Sequence, residues 1–89
     1  MPVNYEKVSE TLKALAHPAR LKMVAGLLKN ECNVAQIQRV LGLPQSTISQ
    51  HLKILKSADI IKGRREGTKT CYRVVDARVR KIVEIIKRK

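Results

Sequence analysis

The chain has 89 residues and carries 19 Lys and Arg against 7 Asp and Glu, which gives a formal charge of +12. Its apolar fraction of 44% is too high for a disordered basic tail, and no apolar run reaches the roughly 18 residues of a membrane span. The first residues lack an apolar signal segment, and two cysteines are too few for the disulfide framework of a small secreted protein. We therefore expect residues 1–89 to form one basic, cytoplasmic domain that binds nucleic acid rather than a membrane.

The first third of the chain has the periodicity of two helices. Apolar residues recur at the 3–4 spacing of an amphipathic helix at Tyr5, Val8, Leu12 and Leu15. His17 and Pro18 then interrupt this pattern, and Pro18 suits the first turn of a second helix, with His17 near its cap. We expect the second helix to end near Asn30 and assign His17 no chemical role.

Residues 31–34 are too short a segment for a helix and are predicted to form a brief strand. Asn33 and Gln36 have the spacing of a capping box, so a third, short helix should follow. Gly42 can adopt the left-handed conformation that ends it. A fourth helix then buries its apolar side, formed by Ile48, Leu52 and Leu55.

The opposite side of the predicted fourth helix carries short polar side chains and no acid between Gln45 and Ser57. Ser46, Ser49, Gln50 and Lys53 occupy one face at positions i, i+3, i+4 and i+7. An ordinary solvated face would use Glu and Lys, and Ser and Thr are mediocre helix formers, so this composition indicates a function. His51 lies beside it and is expected to pack or to touch a phosphate.

The last third of the chain predicts a hairpin and a final helix. Segments 60–65 and 68–75 flank Glu66 and Gly67, which are the expected hairpin tip. Asp76 is a good N-cap for a helix that is apolar on one side and basic on the other. The apolar residues of that helix are Val79, Ile82, Val83 and Ile86.

This order of elements is that of a winged helix-turn-helix, mainly α with a small β-hairpin, in the sequence α-α-β-α-α-β-β-α. An α-helix fits the major groove of DNA, where Ser, Thr and Gln side chains bond to base edges, and the hairpin cations would contact phosphates. The predicted DNA-binding residues are Gln45, Ser46, Thr47, Ser49, Gln50, Lys53, Arg64, Arg65 and Lys69.

Two other classes of function compete with a sequence-specific regulator. An enzyme is disfavoured, because no Ser-His-acid arrangement, phosphate loop or paired carboxylate stands out. A general basic protein that coats nucleic acid is the stronger rival. The polar stripe from Ser46 to Lys53 argues against it, because a coating protein needs charge but no base-reading amides and hydroxyls.

Three segments resemble the ArsR/SmtB family of transcriptional repressors. Segments 15–21 (LAHPARL) and 43–52 (LPQSTISQHL) resemble the family's second-helix and recognition-helix motifs, and 64–67 (RREG) followed by Tyr72 and Arg73 resembles its wing. The resemblance implies a homodimer, joined through the first and last helices, that represses by binding an inverted-repeat operator and leaves it when an inducer is sensed. In this chain those helices offer Val8, Leu12, Leu15, Val79, Ile82, Val83 and Ile86 as the interface.

The chain departs from the family's metal-binding patterns. The positions that hold thiols in many members are Asn33 and Ala35 here, and the last helix contains no His. Asp76 alone cannot hold zinc, which normally takes four ligands. We therefore expect no metal site and no cofactor, as in the branch of the family that does not sense metals.

Cys32 and Cys71 are the remaining candidates for a built-in sensor. A strand near Cys32 would pair with the second hairpin strand, which would place the two cysteines on adjacent antiparallel strands within disulfide range. Side-chain alternation argues the other way, because Cys32 shares its face with Val34, and Cys71 shares its face with Lys69 and Arg73. A redox disulfide and two structural thiols therefore both remain open.

Overall fold

The computed structural model describes residues 2–88 and contains five helices and one antiparallel hairpin within that range. The elements in chain order are α1 (Tyr5–Leu15), α2 (Pro18–Lys29), α3 (Val34–Leu41), α4 (Gln45–Ser57), β1 (Ile61–Glu66), β2 (Lys69–Val74) and α5 (Ala77–Lys87). None of the helices in this range combines the length and apolar character that crossing a bilayer requires.

The helix boundaries follow local signals in the sequence. The Asn4 side chain accepts a hydrogen bond from the Lys7 backbone N–H at the start of α1. Asp76 accepts hydrogen bonds from two backbone N–H groups at the start of α5. Gly42 ends α3 with a left-handed φ of 65°, a conformation that costs glycine little. Asn33 occupies the predicted N-cap of α3, but its side chain forms no capping hydrogen bond.

All five helices and the hairpin contribute to one apolar core. Met23, Val24 and Leu27 of α2 lie at its centre and are almost completely buried. The remaining core members, outside α2, are Ala14, Leu15, Ile37, Ile48, Leu52, Leu55, Ile60, Ile61, Val79 and Val83. Because α4 contributes three of these residues, its inner side is anchored and its opposite side is held at the surface.

The winged helix-turn-helix prediction is confirmed, but the short strand expected at residues 31–34 does not form. This segment is a turn in which Cys32 has a left-handed φ of 66°. The backbone N–H of Cys32 donates to the carbonyl oxygen of Tyr72 in the hairpin at 3.1 Å. The chain turns too sharply here to continue as a strand.

The hairpin tip lies one residue beyond its predicted position. β1 continues through Glu66, and Gly67 and Thr68 form the turn, with Gly67 at a φ of 62°. The register pairs Arg64 with Cys71 and Glu66 with Lys69. Side chains of paired residues lie on the same face of a hairpin, so this register determines which cations surround Cys71.

Candidate nucleic-acid interface

The outer side of α4, the recognition helix, presents the predicted polar stripe to solvent. Its exposed members are Gln45, Ser46, Ser49, Gln50 and Lys53. Thr47 is only half-buried and lies toward the flank of the helix, one turn before the buried His51. With no acid between residues 45 and 57, this face offers hydrogen-bond donors, acceptors and positive charge. These are the groups that read base edges in the major groove.

The hairpin, which we call the wing, adds exposed cations next to the recognition helix. Arg64 and Lys69 share the face of Cys71, whereas Arg65 lies on the opposite face. The Arg64 guanidinium donates to a Glu66 carboxylate oxygen at 2.8 Å, and both side chains are largely exposed. An exposed pair of this kind contributes little to stability, so Arg64 remains available to a phosphate. Arg65 forms no ion pair with any residue between 2 and 88.

Cys32 and Cys71 are joined by a disulfide in the structure, with their Cα atoms 4.3 Å apart. Side-chain alternation, the argument against this pairing, does not apply here. Alternation applies to extended strands, and Cys32 lies in a turn with a left-handed backbone. The bond ties the segment before α3 to β2, and so fixes the wing relative to the helix-turn-helix.

Glu66 is the third potential metal ligand near the two cysteines. The ligand atoms of Cys32, Glu66 and Cys71 all lie within 4.8 Å of one another. Bonded sulfurs offer no thiolate, and even after reduction the three residues are one ligand short of the four that structural zinc takes. Arg64 also occupies the Glu66 carboxylate. This arrangement favours thiol chemistry over metal binding.

A polar cluster under the recognition helix brings together His17, which is the N-cap of α2 as predicted, His51 and Arg20, and the sequence did not predict that they meet. Arg20 of α2 donates to the Ala14 carbonyl oxygen at 2.6 Å and lies 3.3 Å from Nδ1 of His51. The His17 and His51 rings lie side by side, with centroids 4.7 Å apart. Burial, then His17, then Arg20 lower the pKa of His51 below its ordinary value of 6.5. No spacing rule joins these residues, because the chain folds back to bring α2 against α4.

The predicted dimer residues divide into two groups. Leu15, Val79 and Val83 are core residues of the chain itself and are not available to a partner. The exposed members are Leu12 and Ile86, at 49% and 59% exposure, and Val8 and Ile82 are half-buried. Ile85, which the prediction omitted, is also exposed. Val8, Leu12 and Ile82 line a groove of about 420 Å³ between α1 and α5.

Known proteins match this chain over nearly its whole length. An uncharacterised HTH-type transcriptional regulator of Methanocaldococcus jannaschii is 45% identical over 83 residues, which cover 92% of this chain and 93% of the relative. The transcriptional repressor PagR of Bacillus anthracis is 39% identical over 85 residues, 94% of this chain and 85% of PagR. The crystal structure of PagR superposes with a TM-score of 0.83 and covers 93% of this chain and 95% of that chain.

A solution structure from Mycobacterium bovis is also similar. It is a homodimeric winged helix-turn-helix DNA-binding domain, with a TM-score of 0.80 and 31% identity over 93% of this chain and 77% of that chain.

Residues 17–62 match the family model described as the bacterial regulatory protein, arsR family. This segment runs from the N-cap of α2 through α4 to the start of β1, so it contains the complete helix-turn-helix. Its relatives are transcriptional regulators rather than enzymes. The chain belongs to the ArsR family and is a winged helix-turn-helix transcriptional regulator.

Proposed function

We propose that this protein is a cytoplasmic repressor that binds an inverted-repeat operator as a homodimer and does not respond to metal ions. The observation that carries the proposal is the outer face of α4, where exposed polar side chains without acids lie next to the cations of the wing. Base reading is the role of Gln45, Ser46, Thr47, Ser49 and Gln50. Phosphate binding is the role of Lys53, Arg64, Arg65 and Lys69.

Dimerisation supports this function because two symmetric α4 helices read two symmetric half-sites. The unpartnered apolar residues of α1 and α5, Leu12, Ile85 and Ile86, lie on elements that do not form the DNA-reading face. The M. bovis relative with this fold is homodimeric. A pair of chains joined through α1 and α5 leaves both copies of α4 free.

The operator can be identified by selecting duplexes from a randomised pool with the purified protein and footprinting the enriched sequence. An inverted repeat with half-sites about one helical turn apart is the expected result. On the selected duplex, Gln45→Ala should cost about 1–3 kcal/mol, with little effect on an unrelated duplex of equal length. Arg65→Ala should weaken both alike. Equal losses on both duplexes for Gln45→Ala would contradict base reading by α4.

The disulfide favours a redox signal over a metal or small-molecule signal. Formation of the Cys32–Cys71 bond removes two protons and two electrons from the thiols, and a hydroperoxide accepts them to give water and an alcohol, or two waters from hydrogen peroxide. The bond attaches β2 to the segment before α3. Oxidation should therefore fix the tilt of the wing and weaken its contact with DNA.

The redox proposal is tested by measuring operator affinity before and after peroxide or diamide treatment. Mass spectrometry should find the two thiols converted to one disulfide, with weaker DNA binding by the oxidised protein. A Cys32→Ser, Cys71→Ser double variant should bind DNA and ignore the oxidant. Thiols that stay free, or a double variant that responds like wild type, would rule out this signal while leaving DNA binding intact.

A further inference from the structure

A shallow groove of about 380 Å³ runs along one flank of the recognition helix, between α4 and the start of α2. We call it the imidazole groove, because His17 and His51 both line it, together with Lys22 of α2 and Thr47 of α4. Its other lining residues are Pro18, Ala19, Leu41 and Leu43, so no acid borders it. The two imidazole rings have centroids 4.7 Å apart, and their planes are tilted by 51°.

Hydrogen bonding fixes where each neutral ring carries its proton. The Ala19 backbone N–H donates to Nδ1 of His17 at 3.0 Å. Arg20 is 3.3 Å from Nδ1 of His51, and a guanidinium group can only donate. Both Nδ1 atoms are therefore acceptors, and both Nε2 atoms carry hydrogen. The same bonds hold each ring in place.

Both Nε2–H donors lack a partner within residues 2–88, because the hydrogen bonds of the two rings use Nδ1. No side-chain nitrogen or oxygen of this part of the chain is both completely buried and without a hydrogen bond. His51 is only 9% exposed, so its Nε2–H keeps limited contact with solvent, and the ring is one of those that line the groove. A buried ring with one anchored nitrogen and one open N–H is a preorganised donor.

The remaining lining groups favour an anion. Lys22 supplies an ammonium group, Thr47 supplies a hydroxyl, and α2 begins at Pro18 with no acidic residue in its first turn. The positive end of the α2 dipole therefore faces this region without an acidic side chain in the first turn. On α4, Thr47 and His51 lie one turn apart on the flank, beside the exposed stripe that contains Ser46 and Gln50. When a helix lies in the major groove, its flanks face the phosphate backbones.

We propose that the imidazole groove binds one backbone phosphate of the DNA duplex, held by the Nε2–H groups of His17 and His51, the Lys22 ammonium and the Thr47 hydroxyl. The proposal rests on the proposed function, because the phosphate belongs to the duplex that α4 reads. The contact determines how α4 is oriented in the groove and does not itself read sequence. The Arg20 guanidinium is a positioning group that acts through His51.

Substitutions at His17 separate this role from helix capping. Asn and Asp both provide a good N-cap acceptor in place of Nδ1, so His17→Asn and His17→Asp should both fold, and Asp also favours the helix dipole. Only Asp places a negative charge against the phosphate. We expect His17→Asp to weaken binding by about tenfold or more on the selected duplex and on an unrelated duplex alike. His17→Asn should lose much less affinity for both duplexes.

Thermal unfolding of the two variants provides the structural control, and the melting temperature of His17→Asp should be no lower than that of His17→Asn. Lys22→Ala supplies a second readout that does not alter a cap. Its plot of log affinity against log salt should be shallower than that of wild type by about 1.8, because the dimer loses two phosphate contacts worth about 0.9 each. A slope equal to that of wild type would contradict the role of Lys22.

A methylphosphonate scan locates the phosphate. Each phosphate of the selected duplex is made neutral in turn, and wild type and His17→Asp are compared at every position. At one position in each half-site, neutralisation should weaken DNA binding by wild type. At that position it should also remove most of the loss of affinity that His17→Asp causes. A penalty that is the same at all positions, or a His17→Asp variant that binds like wild type, overturns the proposal while the preference for the selected duplex survives. Wild-type protein that binds no duplex would overturn the proposed function as well.

Discussion

Cys32 and Cys71 are 39 positions apart in the sequence, yet their Cα atoms are 4.3 Å apart and their sulfurs are bonded. The loop closed by this bond contains α3, α4 and β1, which is the complete DNA-reading unit apart from the second wing strand. Cys32 is exposed, and Cys71, within the second wing strand, is buried. If the bond forms by oxidation as proposed, we expect the oxidant to react with the Cys32 thiol first and Cys71 to complete the bond.

We predict that reducing this disulfide lowers the free energy of unfolding by about 2–4 kcal/mol, because a closed loop of this length restricts the unfolded chain. Urea unfolding with and without dithiothreitol measures the difference. The Cys32→Ser, Cys71→Ser variant is the matched control and should be insensitive to the reductant. Equal stability of wild type in both conditions would show that the bond does not constrain the unfolded state.

We predict that Ile86→Glu splits the dimer. The side chain of Ile86 is 59% exposed within the chain, so a Glu at this position is solvated in the monomer and buried only in the dimer. Sedimentation velocity at micromolar concentration measures the change. Val40→Glu is the control, because Val40 is 77% exposed on α3, away from α1 and α5, and this variant should remain dimeric. A monomeric wild-type protein would refute the interface.

The sequence predicts those parts of the fold that depend on neighbouring residues. Helix periodicity, the Gly42 stop and the Asp76 cap each depend on a few adjacent positions, and all three are present in the structure. The strand predicted at residues 31–34 is absent because Cys32 has a left-handed backbone, which an extended strand does not accommodate, at the point where it is attached to β2. No local pattern encodes that attachment.

Contacts between distant elements limit how much of the candidate site can be predicted from the sequence. An apolar stripe does not reveal whether it packs within the chain or against a partner, so the predicted interface includes Leu15 and Val79 although both are core residues. The imidazole groove was missed for the same reason. His17 and His51 meet only because α2 packs against α4, and the sequence shows two isolated histidines.

We predict that stability falls as the pH drops below 6.5, the ordinary pKa of histidine. Burial, His17 and Arg20 lower the pKa of His51 in the folded protein, so the unfolded chain takes up a proton at a higher pH than the folded chain does. The stabilising effect is complete above 6.5 and is lost as the pH falls toward the lower, folded-state pKa. Melting temperatures between pH 5 and 7.5 test this expectation.

The control for this pH dependence is His51→Gln, which keeps a side chain able to accept from Arg20 but does not titrate. Its melting temperature should be lower at neutral pH and should vary less between pH 5 and 7. A variant curve parallel to that of wild type would assign the titration to another group.

The final prediction concerns Gly26, where α2 approaches α3. Alanine is favoured over glycine in a helix by about 1 kcal/mol, so Gly26→Ala would be stabilising on an open surface. Here, however, an added Cβ would lie 2.9 Å from both Cγ1 and Cδ1 of Ile37. Ile37 is buried, and a β-branched side chain in a helix has little freedom at χ1, so α3 itself must move.

Overpacking of this kind costs about 1–3 kcal/mol, which outweighs the gain in helix propensity. We therefore expect Gly26→Ala to lower the free energy of unfolding by about 1–2 kcal/mol in urea. In an Ile37→Ala background both clashing atoms are absent, and the same substitution should raise stability instead. A stabilising Gly26→Ala in the wild-type background would mean that α3 can shift away from α2 at little cost, and that the helix-turn-helix is held less rigidly than its packing indicates.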